Sequence, residues 1–240
     1  MAFPRVLVGC PTSDSKAYCL DEFLKGLKSL SFQNFSVCLV DNSKDESYFG
    51  LLKEKAKSFE KFTGKKFEVL RAGSDIEKGR DRIVFCRNIL RKKALDEGFD
   101  FFFSLEQDVI PPADCIERLL SRSEKIAGCA YLNLMPTGRI GVVAFRFDSE
   151  ENRKKALLTP LGLNDVLPSR FFEVAATGLG ALLIHKSVLQ KISFRVEDNS
   201  TAFDDIFFAK DARENGFKLF LDSGLFCLHL FKSSFSSKDV

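Results

Sequence analysis

The sequence has no tryptophan, only two histidines and no C-x-x-C pair, and these absences narrow the sites it can hold. Its seven cysteines are odd in number and widely spaced, which argues against a disulfide framework or a zinc site. Most of them lie in apolar runs, where cysteine behaves as a small hydrophobic residue. This pattern predicts a reducing, cytoplasmic compartment, and the inner face of a membrane is compatible with it.

Long apolar runs are also absent, so the sequence predicts no membrane span. The opening MAFPRVLVGC is too polar and its apolar run too short for a signal peptide. In the tail FKSSFSSKDV, Phe231 and Phe235 either touch a membrane surface or belong to a frayed end.

Charge of one sign is scarce as well, since 36 Lys and Arg against 33 Asp and Glu leave a net charge of +3. Aromatic residues and lysines are not interleaved in one place, so no nucleic-acid partner is predicted. A mildly basic surface suits an anionic small molecule.

Several common catalytic motifs are missing, namely the P-loop, G-x-S-x-G and a G-x-G-x-x-G after the first strand. Gly178 and Gly180 in TGLGALLI precede an apolar strand instead. They indicate either close backbone approach to a ligand or a plain turn.

What the chain does contain is a regular order of elements, with 26 phenylalanines to build the core. Up to residue 110, apolar strands alternate with amphipathic helices; the strands are PRVLVGCP, FSVCLVDNS, KFEVLRAG and FDFFFSLEQD. Strands that are apolar on both faces predict a mostly parallel central sheet flanked by helices. Beyond a helix in PPADCIERLLSRSEKIAG, strands and loops prevail until the helix in TAFDDIFFAKDARENG and a final strand GLFCLHL. We interpret 1–240 as one domain.

Carboxylates follow two of these strands, at the edge where parallel sheets bind ligands. Asp41 ends the second strand, and Glu106 and Asp108 end the fourth, both on one face if the segment is extended, with Gln107 on the other. Magnesium and manganese use such oxygen ligands when phosphates complete their shell. An acidic pair at a strand end is more often solvated, and His229 supports a metal site only if its strand ends near Asp108.

Asp204 and Asp205 open the last long helix. One of them fits the role of a helix cap. The other has no such need, and a carboxylate held ionised at a helix N-terminus can accept a proton from a hydroxyl group.

Six segments together resemble the GT-A-fold glycosyltransferases, closest to the family 2-like group of inverting enzymes, over about residues 5–230. They are VLVGCPTSD, CLVDNSKDES, CRNILRKKAL, FSLEQDVIPPADCIERLL, TGLGALLIHKSVLQKI and FDDIFFAKDARENGFKLFLDSGLFCLH. Two departures are Glu106 for the usual aspartate and Asp204 for the usual glutamate, each of which changes the reach of a retained carboxylate by one methylene.

The resemblance implies a GT-A-type α/β fold with a nucleotide-binding half at 1–110, an acceptor and catalytic half at 111–230 and a tail at 231–240. It implies nucleotide-sugar contacts at Pro11, Thr12, Asp41, Arg87, Glu106 and Gln107. It assigns metal ligands to Asp108 and His229, the general base to Asp205 or less favourably Asp204, and the acceptor side to Gly178 and Gly180.

The function so implied is transfer of a sugar from a UDP- or GDP-sugar to a hydroxyl of a glycan, lipid or protein acceptor, with Mn²⁺ or Mg²⁺ as cofactor and with inversion. Asp41 and Arg87 are expected to matter for nucleotide binding and little for folding. Two alternatives stay open. A nucleotidyltransferase is disfavoured because GCPTSDSK has one glycine and one lysine, and a non-catalytic binding module on the same fold is disfavoured by the retained carboxylates.

Overall fold

The structure is a computed structural model that describes residues 3–73, 76, 78–134, 138 and 140–232. Its strands are β1 (Val6–Thr12), β2 (Phe35–Asp41), β3 (Phe67–Arg71), β4 (Phe101–Leu105), β5 (Val109–Ile110), β6 (Ile126–Ala130), β7 (Leu132–Leu134), β8 (Ile140–Val142), β9 (Ala144–Arg146), β10 (Thr159–Pro160), β11 (Phe171–Val174), β12 (Ala176–Thr177), β13 (Ala181–His185), β14 (Leu219–Phe226) and β15 (Leu228–His229). Its helices are a 3₁₀ helix (Asp14–Cys19), α1 (Leu20–Ser29), α2 (Glu46–Thr63), α3 (Gly79–Asp96), α4 (Cys115–Ser121), α5 (Glu150–Lys154), α6 (Leu163–Val166), α7 (Lys186–Leu189) and α8 (Asp204–Glu214).

Eight strands form the central sheet in the order β11-β14-β6-β13-β4-β1-β2-β3. The pairs β1–β2, β2–β3, β1–β4 and β14–β6 are parallel, whereas β13 and β11 run antiparallel to their neighbours. The predicted mixed α/β fold with a mostly parallel sheet is therefore confirmed. The register sets Thr12 beside Asp41 and Gly9 beside Ser104, so that three strands end at one edge.

Both faces of this sheet are buried, which explains why its strands are apolar without alternation. Val8 and Phe103 pack in one core with Phe23 of α1, on the side that α1 and α2 cover. Their neighbours Leu7 and Phe102 pack in a second core on the opposite face, together with residues of α3 and α8. The helices fix where the carboxyl ends of the strands open to solvent.

The second half departs from the predicted elements because the chain there changes sheets within a few residues. GCAYLNL is two strands, β6 in the central sheet and β7 in a hairpin with β8, with a break at Tyr131. RFFEVAAT likewise divides into β11 and β12. The helix after Pro112 ends at Ser121. The first three residues of GLFCLHL still belong to β14, so that only Leu228–His229 forms the last strand.

Within the described ranges, none of the helices is long and apolar enough to cross a membrane. All seven cysteines are buried as free thiols. Phe231 is exposed at the end of the described chain, whereas Phe235 lies outside the described residues, so the membrane contact stays a prediction.

Candidate active site

A cavity of about 680 Å³ opens at the carboxyl ends of β1 and β4, where the sequence predicts a ligand site. The predicted site residues that line it are Pro11, Thr12, Arg87, Glu106, Gln107, Asp108, Asp204, Asp205 and His229. They come from five separate segments of the chain, which the fold brings to one place.

The acidic segment after β4 is a turn and not an extended strand end. β4 ends at Leu105, and the Val109 amide donates to the Glu106 carbonyl at 3.0 Å. The prediction that Glu106 and Asp108 share one face of a strand is therefore wrong in its geometry. Glu106, Gln107 and Asp108 nevertheless all line the cavity, because the turn closes around its rim.

Asp108 and His229 meet as the sequence analysis requires. The two-residue strand β15 pairs with β5, which sets His229 opposite Val109, and the Leu230 amide donates to the Asp108 carbonyl at 2.7 Å. His229 Nε2 then lies 3.4 Å from Asp108 Oδ2.

The donor set at this point fits a divalent cation. His229 Nδ1 lies 2.6 Å from the Leu132 carbonyl, which only accepts, so Nδ1 carries the proton and Nε2 faces Asp108. Oδ1 of Asp108 is buried and has no hydrogen-bond partner among the described residues. A buried carboxylate oxygen without a partner is costly unless a ligand satisfies it. Across the described part of the chain, no group of three or more acidic, histidine or cysteine side chains could hold an ion, so phosphate oxygens would have to complete the shell.

The ionisation of this pair follows from its contacts. Burial raises the pKa of Asp108, but hydrogen bonds from His229 and Lys16 outweigh it and lower the pKa overall. Burial lowers the pKa of His229, and the neighbouring Asp108 carboxylate with the Leu132 carbonyl reverses that effect and raises the pKa. Asp108 is therefore held ionised, with a positive charge favoured beside it.

Lys16 supplies that charge and was not recognised from the sequence. It lies in the 3₁₀ helix that follows β1, and its ammonium group contacts Asp108 Oδ2. Burial lowers the pKa of Lys16, and the bond to Asp108 more than restores it, so the pKa is raised. The Tyr18 hydroxyl, 3.5 Å from the same oxygen, completes the surroundings.

Gln107 holds this segment in place with its side chain. Its Oε1 accepts from the hydroxyls of Thr12 and Tyr48, the latter at 3.1 Å, and its Nε2 donates to the Lys16 carbonyl at 2.7 Å. The amide is thus occupied by protein groups. Gln107 positions the turn and the start of the 3₁₀ helix against each other.

Arg87 is fully buried in α3 and joins three elements. Nη1 donates to Ser104 Oγ at 2.7 Å, Nη2 donates to Glu106 Oε1 at 2.6 Å, and Nε lies 2.7 Å from Asp204 Oδ2. Burial alone would lower the pKa of Arg87, but the Asp204 and Glu106 charges raise it. Arg87 therefore holds two carboxylates in place, with Asp204 as its counter-ion, and its contact to the nucleotide stays a prediction. The helix cap is Phe203, without a side-chain bond.

Asp205 differs from its neighbour in having no ion-pair partner among the residues that the structure describes. Its Oδ1 accepts from the Ile206 amide at 2.8 Å, and part of the side chain faces the cavity. Burial, followed by the Asp204 charge, raises its pKa to about 7. Burial and negative neighbours thus act against the stabilisation that a helix N-terminus gives to an ionised carboxylate.

Three predicted site residues lie behind the cavity wall. Asp41 is fully buried and accepts from the amide and hydroxyl of Ser43 at 2.9 and 2.5 Å. The described residues that line the cavity include its neighbour Asn42 but not Asp41.

Leu179 likewise lines the cavity, whereas Gly178 and Gly180 on either side do not. A Cβ at these glycines would stand 2.0 and 2.7 Å from the Tyr131 hydroxyl, which accepts from the Gly180 amide at 3.1 Å. The close backbone approach that the sequence suggested is real, but it is made to Tyr131. Tyr131 itself lines the cavity and packs edge-on against His229, and no sequence motif marked it.

No protein-family model matches the chain, and neither does any curated protein. Solved structures do. A197 from STIV superposes with a TM-score of 0.52 at 16% identity, over 95% of this chain and 86% of its own. GalNAc-T7 with UDP, GalNAc and Mn²⁺ gives a TM-score of 0.67 at 12% identity, over 96% of this chain and 44% of its own.

A third similar structure is the mannosyltransferase PcManGT from Pyrobaculum calidifontis in complex with GDP-Man and Mn²⁺. It gives a TM-score of 0.62 at 13% identity, and covers 98% of this chain and 59% of its own. This chain therefore spans about half the length of the two transferases. The identities are low, and the shared feature is the architecture. The chain has the GT-A fold of glycosyltransferases.

Proposed function

We propose that this protein is a metal-dependent glycosyltransferase that moves a sugar from a nucleoside-diphosphate sugar to an acceptor hydroxyl with inversion. One observation supports it most strongly. A single cavity joins a carboxylate with a pKa of about 7 to an Asp–His pair whose buried oxygen lacks a partner among the described residues. Two of the similar structures hold Mn²⁺ with a nucleotide, GalNAc-T7 with UDP and PcManGT with GDP-Man.

Asp108 and His229 would hold the divalent cation, through the carboxylate of the first and Nε2 of the second. When bound with the donor, Mn²⁺ or Mg²⁺ neutralises the charge of the leaving diphosphate as a Lewis acid. The residues that surround the pair serve to fix it, since Leu132 sets the histidine tautomer and β5 aligns the aspartate. Such supporting contacts commonly decide the affinity of a metal site.

Asp205 is the proposed general base. A base works best when its pKa lies near the operating pH, because it is then ionised in a useful fraction and still binds a proton well. Burial beside Asp204 and Glu106 gives Asp205 that property. It takes the proton of the acceptor hydroxyl as the oxygen attacks the anomeric carbon opposite to the diphosphate, and this single displacement inverts the carbon.

The donor nucleotide lies, in this proposal, along Pro11, Thr12, Asn42 and Glu106, which line the cavity beside the ends of β1 and β4. Asp41 then contributes from beneath, by holding the loop at Ser43. A UDP- or GDP-sugar donor, a glycan, lipid or protein acceptor, and a cytoplasmic location all stay predictions.

The test is transfer by Asp205→Asn with a panel of nucleotide sugars and Mn²⁺ or Mg²⁺. The amide keeps the shape and the bond to the Ile206 amide but takes no proton. We expect transfer to fall by about 10²–10⁴-fold, with metal and nucleotide affinity unchanged by calorimetry. Glu150→Gln, an exposed first-turn carboxylate of α5, is the matched control.

Equal rates for Asp205→Asn and the unaltered protein would refute the base assignment. If the unaltered protein neither transfers nor hydrolyses any sugar of the panel, the transferase proposal fails and a binding module is favoured.

A further inference from the structure

The ammonium group of Lys16 lies beside the buried carboxylate of Asp108, at the proposed metal site. It contacts Asp108 Oδ2, the oxygen that also faces His229 Nε2 at 3.4 Å. Asp108 is almost fully buried, with a side chain 6% exposed, whereas that of Lys16 is 38% exposed to the cavity. A buried carboxylate is thus paired with the end of a partly exposed side chain.

The backbone of Lys16 is held by a hydrogen bond, whereas its side chain is held through the ammonium group on Asp108. Gln107 Nε2 donates to the Lys16 carbonyl at 2.7 Å, and the Asp14 amide donates to Ser43 Oγ at 2.8 Å, so the 3₁₀ helix is anchored at its first residue and at Lys16. A lysine stem has four rotatable carbons and ends in a compact point charge. The ammonium group can therefore leave Asp108 without movement of the main chain.

Two arginines of the same cavity lack this freedom. Arg87 is held by Ser104, Glu106 and Asp204. Arg80 Nη1 donates to the carbonyls of Ser200 and Ala202 at 2.6 and 2.9 Å. The ammonium group of Lys16 instead pairs with a carboxylate that a divalent cation would also take.

We propose that Lys16 is a counter-cation built into the metal site, which neutralises Asp108 in the empty cavity and moves to the donor diphosphate when a divalent cation takes its place. The proposal rests on the proposed function for the identity of the donor, but its chemistry requires only a divalent cation and a diphosphate. Metal and lysine compete for Asp108, and both favour the diphosphate. Metal alone should accordingly bind weakly, and metal with diphosphate should bind tightly.

The first measurement is the binding of Mn²⁺ alone, followed by the loss of the free-ion signal in electron paramagnetic resonance. Lys16→Met removes the competitor, so Mn²⁺ should bind at least about tenfold more tightly than to the unaltered protein. Lys16→Arg keeps the charge and should resemble the unaltered protein. Lys55→Met is the matched control, because Lys55 is equally exposed and pairs with Asp21 at 2.7 Å outside the cavity.

The second measurement is the binding of inorganic diphosphate at saturating Mg²⁺ by calorimetry. Lys16→Met should weaken it by about tenfold or more, since a charge-assisted contact is lost. Lys16→Gln serves as a second variant if the methionine protein is unstable, and thermal melts establish that each variant is folded.

Opposite changes in the two affinities support the proposal. Mn²⁺ binding that is absent or not tighter in Lys16→Met overturns the competition, and unchanged diphosphate binding overturns the transfer of the ammonium group. Neither readout involves a sugar. If both hold while no sugar is transferred, the role of Lys16 stands and the transferase proposal fails.

Discussion

A single carboxylate, Asp205, shows how neighbours decide the chemistry of a residue. Its position in the first turn of α8 predicts a stabilised anion. The structure instead encloses it beside Asp204 and Glu106, and the guanidinium group of Arg87 pairs with those two carboxylates. The ionised form of Asp205 is therefore disfavoured, which is the condition for a base that titrates near neutral pH.

This cost predicts a pH-dependent stability. The folded protein binds a proton at Asp205 up to a pH of about 7, whereas the unfolded chain releases it near a pH of about 3.9. Between these values the folded state holds the extra proton, so the contribution of Asp205 to stability falls as the pH rises. Asp205→Asn does not titrate and should be more stable than the unaltered protein at pH 8, by about 1–3 kcal/mol after allowance for its partial exposure.

The measurement is urea unfolding of both proteins at pH 5 and pH 8. The advantage of the variant should grow between the two, and Glu150→Gln should show no such growth because Glu150 is exposed. An identical difference at both pH values would show that Asp205 does not carry the raised pKa.

At the scale of elements, Arg87 links the candidate active site to three elements of the fold. From α3 it binds the end of β4 through Ser104, the acidic turn through Glu106 and the start of α8 through Asp204. Sequence reasoning expected Arg87 to affect nucleotide binding with little effect on folding. A buried guanidinium with two carboxylate partners is expected to matter for the stability of the fold as well.

Arg87→Met should destabilise the protein by about 3–5 kcal/mol, because it leaves Asp204 buried without its counter-ion. Arg195→Met is the control, since Arg195 pairs with Asp211 and Glu197 at a more exposed site and should cost less than about 1 kcal/mol. Urea denaturation gives both values. A loss for Arg87→Met as small as that of the control would mean that the ion pairs contribute little.

The elements themselves were predictable where the signal is local. β1 to β4 read as apolar runs that end in polar residues, and α1 shows its buried stripe at Phe23, Leu24 and Leu27. The later strands are short, and their sheet depends on distant partners, as with β14, which pairs with β6 across about ninety residues of chain. Lys16 was missed for the same reason, since one lysine among 36 basic residues gains meaning only from the carboxylate opposite.

For the whole molecule, the fold matters because it brings the proposed metal ligands together from distant segments. Asp108 lies after β4, His229 lies after β14, and Lys16 lies after β1. These three side chains lie together only in the folded state, so a ligand that contacts all of them binds the folded protein and not the unfolded chain. Such a ligand must raise the unfolding temperature by mass action.

We therefore expect UDP or GDP together with Mn²⁺, at about 100 times the dissociation constant, to stabilise the protein by about 2.7 kcal/mol. For a protein of this size that corresponds to a rise of roughly 5–10 °C in Tm. A chelator should remove most of the rise, because the nucleotide alone would face Asp108 without the cation.

The doubly altered protein Asp108→Asn, His229→Ala should show the same small rise with and without Mn²⁺, since it retains the nucleotide surface at Pro11 and Thr12 but lacks both ligands. Equal rises for the unaltered protein with metal and with chelator would instead place the nucleotide in a metal-independent site, whereas a full metal-dependent rise in the double variant would move the cation away from Asp108 and His229.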